Sequence, residues 1–247
     1  MDPELENYMK TGDQLLGKGK NIDSIREYLK GYEVLKDKEN EDTADFCQRL
    51  STVYSLLGKE GYDEAKKFGE ISLHIHEKLD DQDLVVMDLL SLASAVSSAG
   101  KNQEAEAFAN RALDLSRKMN EPVFIAMSLN SLGSMKMDSK KGRNEALKIF
   151  DEVLALSKEN ADWEDYFEAL TNKISIISED KDPDEALELG NKAMDQADEI
   201  AKKIKNKKER KNFKESITFL YDVLADIAMS KENVDLAIKI AQRSKSD

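Results

Sequence analysis

Six times along the chain a triplet of mostly small residues recurs at spacing i, i+4, i+7: Ser24-Tyr28-Gly31, Ala65-Gly69-Ser72, Ala105-Ala109-Ala112, Ala146-Phe150-Val153, Ala186-Gly190-Ala193 and Ala237-Ala241-Ser244. Successive first members lie 41, 40, 41, 40 and 51 residues apart. This spacing keeps each triplet on one face of a helix. A face of small side chains gives up burial on an isolated helix, so its repetition implies that a second helix comes into close contact there. A fixed period of this size is the mark of stacked repeats, each unit covering its neighbour.

Every triplet follows a turn signal, in "GKGKNIDS", "LGKEGYDEA", "AGKNQEA", "KKGRNEA", "DKDPDEA" and "SKENVDLA", and an apolar-periodic helix precedes each of these. Each unit therefore reads as a helical hairpin, with Gly or Asp-Pro reversing the chain and Asp or Asn capping the second helix. The first helices carry large-small pairs at Leu50-Ser51, Leu92-Ala93, Leu132-Gly133 and Leu224-Ala225, where the hairpin closes. Only three prolines interrupt the 247 residues, and no window alternates apolar and polar residues as a strand does.

These pairs, with Tyr54 after Leu50-Ser51 and the Ala146-Phe150 step, resemble the tetratricopeptide repeat (TPR) family. The resemblance extends over nearly the whole chain and implies an all-α, right-handed α-solenoid of about six TPR-like hairpins in a single domain, with repeats at 3–40, 41–81, 82–121, 122–161, 162–205 and 206–247. The period near 40 exceeds the family's 34, which implies the long-helix type found in kinesin light chain. Lys173-Ile174 replaces the large-small pair in the fifth repeat, which is therefore expected to be the most irregular. The long last interval is expected to hold a lengthened helix, a turn near Asn206 and another long helix. The 14-3-3 proteins share the size and acidity, but the 40-residue period and the lack of their basic constellation argue against that fold.

Fifty acidic against 37 basic residues give a formal charge of −13. That field disfavours nucleic acid and anionic membranes as partners. The single Cys47 sits in an apolar run and reads as a buried thiol. With no signal-peptide pattern or apolar run of spanning length, the expected location is cytoplasmic. His74 and His76 stand roughly 200° apart on a helix and cannot chelate one ion from one face. No phosphate-cradling loop or nucleophile–base pair is present, so no metal, cofactor or catalytic residue is expected. The basic run Lys202, Lys203, Lys205, Lys207, Lys208, Arg210 and Lys211 reads as a solvated helix end, with a docking patch for an acidic partner as the alternative.

In the family the first helices line a groove. The resemblance places there Thr52, Ser94, Ser134, Ser175 and Asp226, followed three residues later by Ser55, Ser97, Met137, Ser178 and Met229. Upstream come Asp45, Met87, Met127, Glu168 and Phe219, then Gln48, Leu90, Asn130, Thr171 and Asp222. The binding set expected from these registers is Gln48, Thr52, Met87, Leu90, Ser94, Met127, Asn130, Ser134, Thr171, Asn172, Phe219 and Asp222. Asn130 and Asn172 resemble the asparagines that long-repeat members use to hold a peptide backbone, since an amide both donates and accepts. The lysines of the chaperone-binding carboxylate clamp are missing, with Arg49 and Lys10 as the nearby cations. The expected function is a non-catalytic protein-protein interaction module, an adaptor or regulator. It would hold a protein or peptide segment with apolar anchors, basic residues suiting the acidic positions. Two rivals remain. One is a self-associating scaffold, a homodimer through the C-terminal helix with its Val234, Ile238 and Ala241. The other is an intracellular receptor for a signalling peptide.

Overall fold

A computed structural model describes residues 2–245. Among them are thirteen α-helices, a single 3-10 turn at Gly58–Glu60 and no strand. The chain divides into two compact units, Met1–Ser131 and Leu132–Asp247. The first contains α1 (Pro3–Leu16), α2 (Asn21–Leu35), α3 (Glu41–Ser55), α4 (Tyr62–Leu79), α5 (Gln82–Ser98) and α6 (Asn102–Met119). Helix α7 (Pro122–Met135) crosses the division. The second unit continues with α8 (Lys140–Asn160), α9 (Trp163–Asp180), α10 (Pro183–Lys203), α11 (Lys207–Ser216), α12 (Thr218–Ser230) and α13 (Val234–Ser244). Successive helices pair as hairpins, six in all.

The constancy of the period has a local cause. Helices α4, α6 and α8 each end on a residue with positive φ: Asp80 at 55°, Asn120 at 56° and Ala161 at 56°. The amide after each bonds back to the fifth carbonyl before it, Asp81 to His76, Glu121 to Ser116 and Asp162 to Ser157, as a Schellman turn requires. Asp81 and Asp162 then accept the amides of Leu84 and Asp165 and cap the next helix. Each of these hairpins thus passes to the next in two residues.

All fifteen positions of the first five triplets are buried. Two complementary sockets explain why small residues are needed. On first helices, glycine receives an aromatic ring from the second helix of the same hairpin: a Cβ on Gly133 would stand 2.5 Å from the Phe150 ring, and one on Gly12 would overlap Tyr28. On second helices, glycine receives a side chain from the next hairpin. Gly69 faces Leu92, Gly190 faces Leu224, and Gly31 faces the fully buried Phe46. Close packing leaves no slack at such contacts. Helix α13 differs: Ala237 is buried but Ala241 is exposed, because among the described residues no helix packs over its outer side.

Two expectations need correction. The fifth hairpin is regular, with unbroken helices α9 and α10, and Ile174 is fully buried opposite the small residues of α10. The irregularity lies in the sixth, where the helix after Asn206 is broken at Ile217 (φ −104°, ψ 12°). Ser216 donates to the carbonyl of Phe213, and Thr218 donates to those of Lys214 and Glu215. Such back-bonding bends a helix, and burial of Ile217 in the core holds the bend.

The first unit also buries a polar cluster. His76 Nδ1 lies 2.6 Å from Asp88 Oδ2, each residue being 1% exposed, and Ser72 Oγ donates to Asp88 at 3.0 Å. Burial opposes the imidazolium, but the hydrogen bond and charge of Asp88, aided by Asp81 and Asp45, outweigh it and raise the His76 pKa. The histidine ties α4 to α5 through this bond. Cys47 is buried as expected, and burial pushes its thiol pKa up to about 12.

If the sockets set helix spacing, Gly31→Ala costs about 1–3 kcal/mol of unfolding free energy in urea, despite alanine's better helix propensity. Adding Phe46→Leu recovers part of that loss in a double-mutant cycle, because the clash and its partner are then removed together.

Candidate functional site

The open sides of the first helices are defined by what the sockets bury. One register behaves uniformly: Asp45, Met87, Met127, Glu168 and Phe219 are all half-buried, apolar or carboxylate side chains flanking the core without being enclosed by it. The register at Thr52, Ser94 and Ser134 is exposed. Asn130 and Thr171 are buried, at 1% and 2% exposure, and do not line an open face. Their positions explain this. Asn130 lies four residues after Ala126 and three before Gly133, and Thr171 lies four after Phe167 and three before Ile174, so both fall on the buried stripe. The Thr171 hydroxyl donates to the carbonyl of Phe167 at 2.7 Å.

In the first unit, half-buried Gln48 donates to Asp88 at 3.3 Å, which turns it toward the buried cluster. Thr52 donates to the carbonyl of Gln48. Leu90 packs on the α4–α5 core, Met87 and Met127 are half-buried, and Ser94 is exposed. Arg49 is engaged by Asp13 at 3.0 Å, and Asp13 also accepts from the Tyr28 hydroxyl at 2.6 Å. Burial, followed by that carboxylate, pushes the Tyr28 pKa up to about 12.

In the second unit the structure gathers expected and unexpected residues into one cavity of about 320 Å³, lined by Ser134, Glu164, Glu168, Asn172, Ser216 and Phe219. Three successive first helices build it: the end of α7, then α9, then the bend between α11 and α12. Asn172 Nδ2 donates to Ser134 Oγ at 3.3 Å, holding the amide across the opening. Phe219, half-buried against the core, supplies an aromatic wall, and Asp222 is exposed three residues further along α12. Burial raises the Glu168 pKa, and the charges of Glu164 and Asp162 push it the same way. No cation is among the influences on it.

Glu168 was legible as a member of the half-buried register, but nothing in the sequence showed that Glu164 and Ser216 complete its pocket. Ser216 enters only through the bend at Ile217, which has no proline or glycine to announce it. Among the described residues no group of three or more His, Cys, Asp or Glu side chains is placed to hold a metal ion, and no helix is long and apolar enough to cross a membrane.

Neither a family model nor a curated protein sequence matches the chain. Solved structures do. A Rap protein complexed with competence and sporulation factor aligns over 98% of this chain and 74% of its own, at 19% identity and a TM-score of 0.66. TPR-like repeats of a kinesin light chain from Podosopora anserina align over 76% and 93%, at 16% identity and 0.61. The apo quorum sensor NprR from B. thuringiensis aligns over 97% and 75%, at 16% identity and 0.60. At these identities the likeness shows the fold: an all-α helical-hairpin repeat of TPR type.

A half-buried carboxylate with acidic neighbours is a cost to folding. Because the raised pKa keeps a proton on folded Glu168 above the ordinary 4.5, stability falls as pH rises from that value through the raised one. Glu168→Gln removes this loss. Its melting temperature is expected above the parent's at pH 7, with the gap closing below about pH 4.5, as scanning calorimetry across that range would reveal.

Proposed function

We propose that this protein is a non-catalytic interaction module whose first-helix faces hold a protein or peptide segment, and that the pocket of the second unit takes a basic side chain of that segment. The observation that carries the reading is Glu168: a half-buried carboxylate, raised by burial and two acidic neighbours, beside an aromatic wall and a fixed amide. A lysine or guanidinium entering there neutralises Glu168, stacks its stem or plane on Phe219, and leaves the ligand backbone within reach of Asn172. Met87 and Met127 in the first unit are adaptable apolar contacts. The buried Asn130 and Thr171 take no part in contact.

Two of the similar structures support this use of the fold, one being a Rap protein held with competence and sporulation factor and the other a quorum sensor. They favour, among readings that share this face, a receptor for a signalling peptide in the cytoplasm. Self-association is supported by a different observation, the half-exposed Met229, Val234 and Ile238 at 50%, 51% and 50%.

A panel of immobilised random decapeptides separates these. The expected outcome is selection of peptides combining apolar residues with Lys or Arg, and loss of at least about tenfold in affinity with Glu168→Lys or Phe219→Ala. Far-ultraviolet circular dichroism serves as the check on folding. Selection without basic residues, or affinity untouched by both changes, contradicts the pocket's role.

A further inference from the structure

The basic run splits in the structure into two halves with opposite electrostatic logic. Lys202 and Lys203 lie in the last turn of α10, where the helix dipole favours cations. Lys207 and Lys208 lie in the first turn of α11, where it disfavours them. Asn206 caps that turn by accepting from the amides of Lys208 and Glu209, so the helix starts there in spite of its charge. The stability explanation therefore covers only the first half.

Helix α11 contains no fully buried residue. Phe213 fixes its orientation, packing on the core with its ring 6.0 Å from that of Phe167. With Phe213 turned inward, Lys207, Arg210, Lys211 and Lys214 fall at i, i+3, i+4 and i+7 on one face. Together with Glu215, Thr218, Ser244 and Lys245 they line a cavity of about 440 Å³. Among the described lining residues the carboxylate is Glu215, which sits 3.4 Å from Lys211 in a pair exposed by 74% and 64%. Such a pair is too solvated to neutralise the face. Neighbouring cations at i+4, Lys207 with Lys211 and Arg210 with Lys214, repel each other and weaken the helix. In a chain of net charge −13, a helix that adds little to the core gathers cations on one face, and of these the dipole favours only Lys214, in the last turn.

We infer that the face of α11 and the end of α13 form a second, cationic docking site, for a short Asp/Glu-rich segment of a partner protein. The four cations span about 10 Å along α11. An extended chain covers that with about three to four residues, so a brief acidic tract saturates the face. Long polyanions fit less well. Screening confines the patch's attraction to about 8–10 Å, and beyond it duplex DNA or an anionic bilayer meets an acidic protein. The site's charge preference is opposite to that of the Glu168 pocket and does not depend on it.

The test uses the full chain and a fluorescein-labelled octaglutamate peptide, titrated by anisotropy at 50 and 200 mM salt. The expected result is saturable binding that weakens with salt, and a loss of at least tenfold in the triple variant Lys207→Ala, Arg210→Ala, Lys211→Ala. The variant Lys202→Ala, Lys203→Ala, Lys205→Ala removes the same charge from the adjoining segment, and its affinity is expected within twofold of the parent. Unchanged circular dichroism for both excludes unfolding. Absence of saturable binding, or equal losses in the two variants, overturns the site. Tighter binding of a 12-base-pair duplex, or of vesicles containing phosphatidylserine, at the same salt overturns the assignment to a protein segment.

Discussion

Close approach of helix backbones at the small-residue triplets is the constraint on which the rest of this structure depends. The sockets fill from two directions, first-helix glycines from the second helix of their own hairpin and second-helix glycines from the first helix of the following one. The volume removed at one position is filled from the other: Gly133 takes Phe150, Gly69 takes Leu92, Gly190 takes Leu224. Glycine in a helix interior costs about 1 kcal/mol relative to alanine, so these positions sacrifice helix propensity for packing. The Schellman turns at Asp80, Asn120 and Ala161 keep the hairpins in step, since two-residue connections leave little freedom in how the next helix begins.

Once the sockets claim one side of each first helix, the opposite side is determined by helical geometry. That is how residues some 40 positions apart reach equivalent environments. Asp45 and Glu168 both have pKa values raised first by burial, though they sit in different units and different surroundings. Arg49 and His76 pull the Asp45 pKa down while Glu41 and Asp42 push it up, whereas the charges acting on Glu168 are both negative. The same scaffold position therefore meets charges of both signs in one unit and acidic neighbours in the other.

Much of this was legible in the sequence because it is periodic. The six triplets identified the hairpins, and the Asn206 turn followed from the one interval that was too long. Two kinds of feature were not legible. The first is register within a stripe: Asn130 and Asn172 look alike as helix asparagines, yet one faces the core beside Ala126 and Gly133 and the other bonds to Ser134 across an opening. The second is partnership over distance. Nothing near His76 announces Asp88, and the bend at Ile217 rests on hydroxyl bonds from Ser216 and Thr218 that many straight helices could also contain.

Thiol accessibility tests the central claim, that the sockets dictate which first-helix residues face outward. Cys47 supplies almost no background, being buried with its pKa pushed up to about 12. Single replacements Ser134→Cys, Asn130→Cys and Thr171→Cys would be titrated with an aromatic disulfide reagent under native conditions. The predicted result is reaction of Ser134→Cys at nearly the rate of the urea-unfolded chain, with Asn130→Cys and Thr171→Cys slowed by about a hundredfold or more. Fast reaction at 130 and 171 with protection at 134 would contradict it, because the register of the first helices would then be reversed.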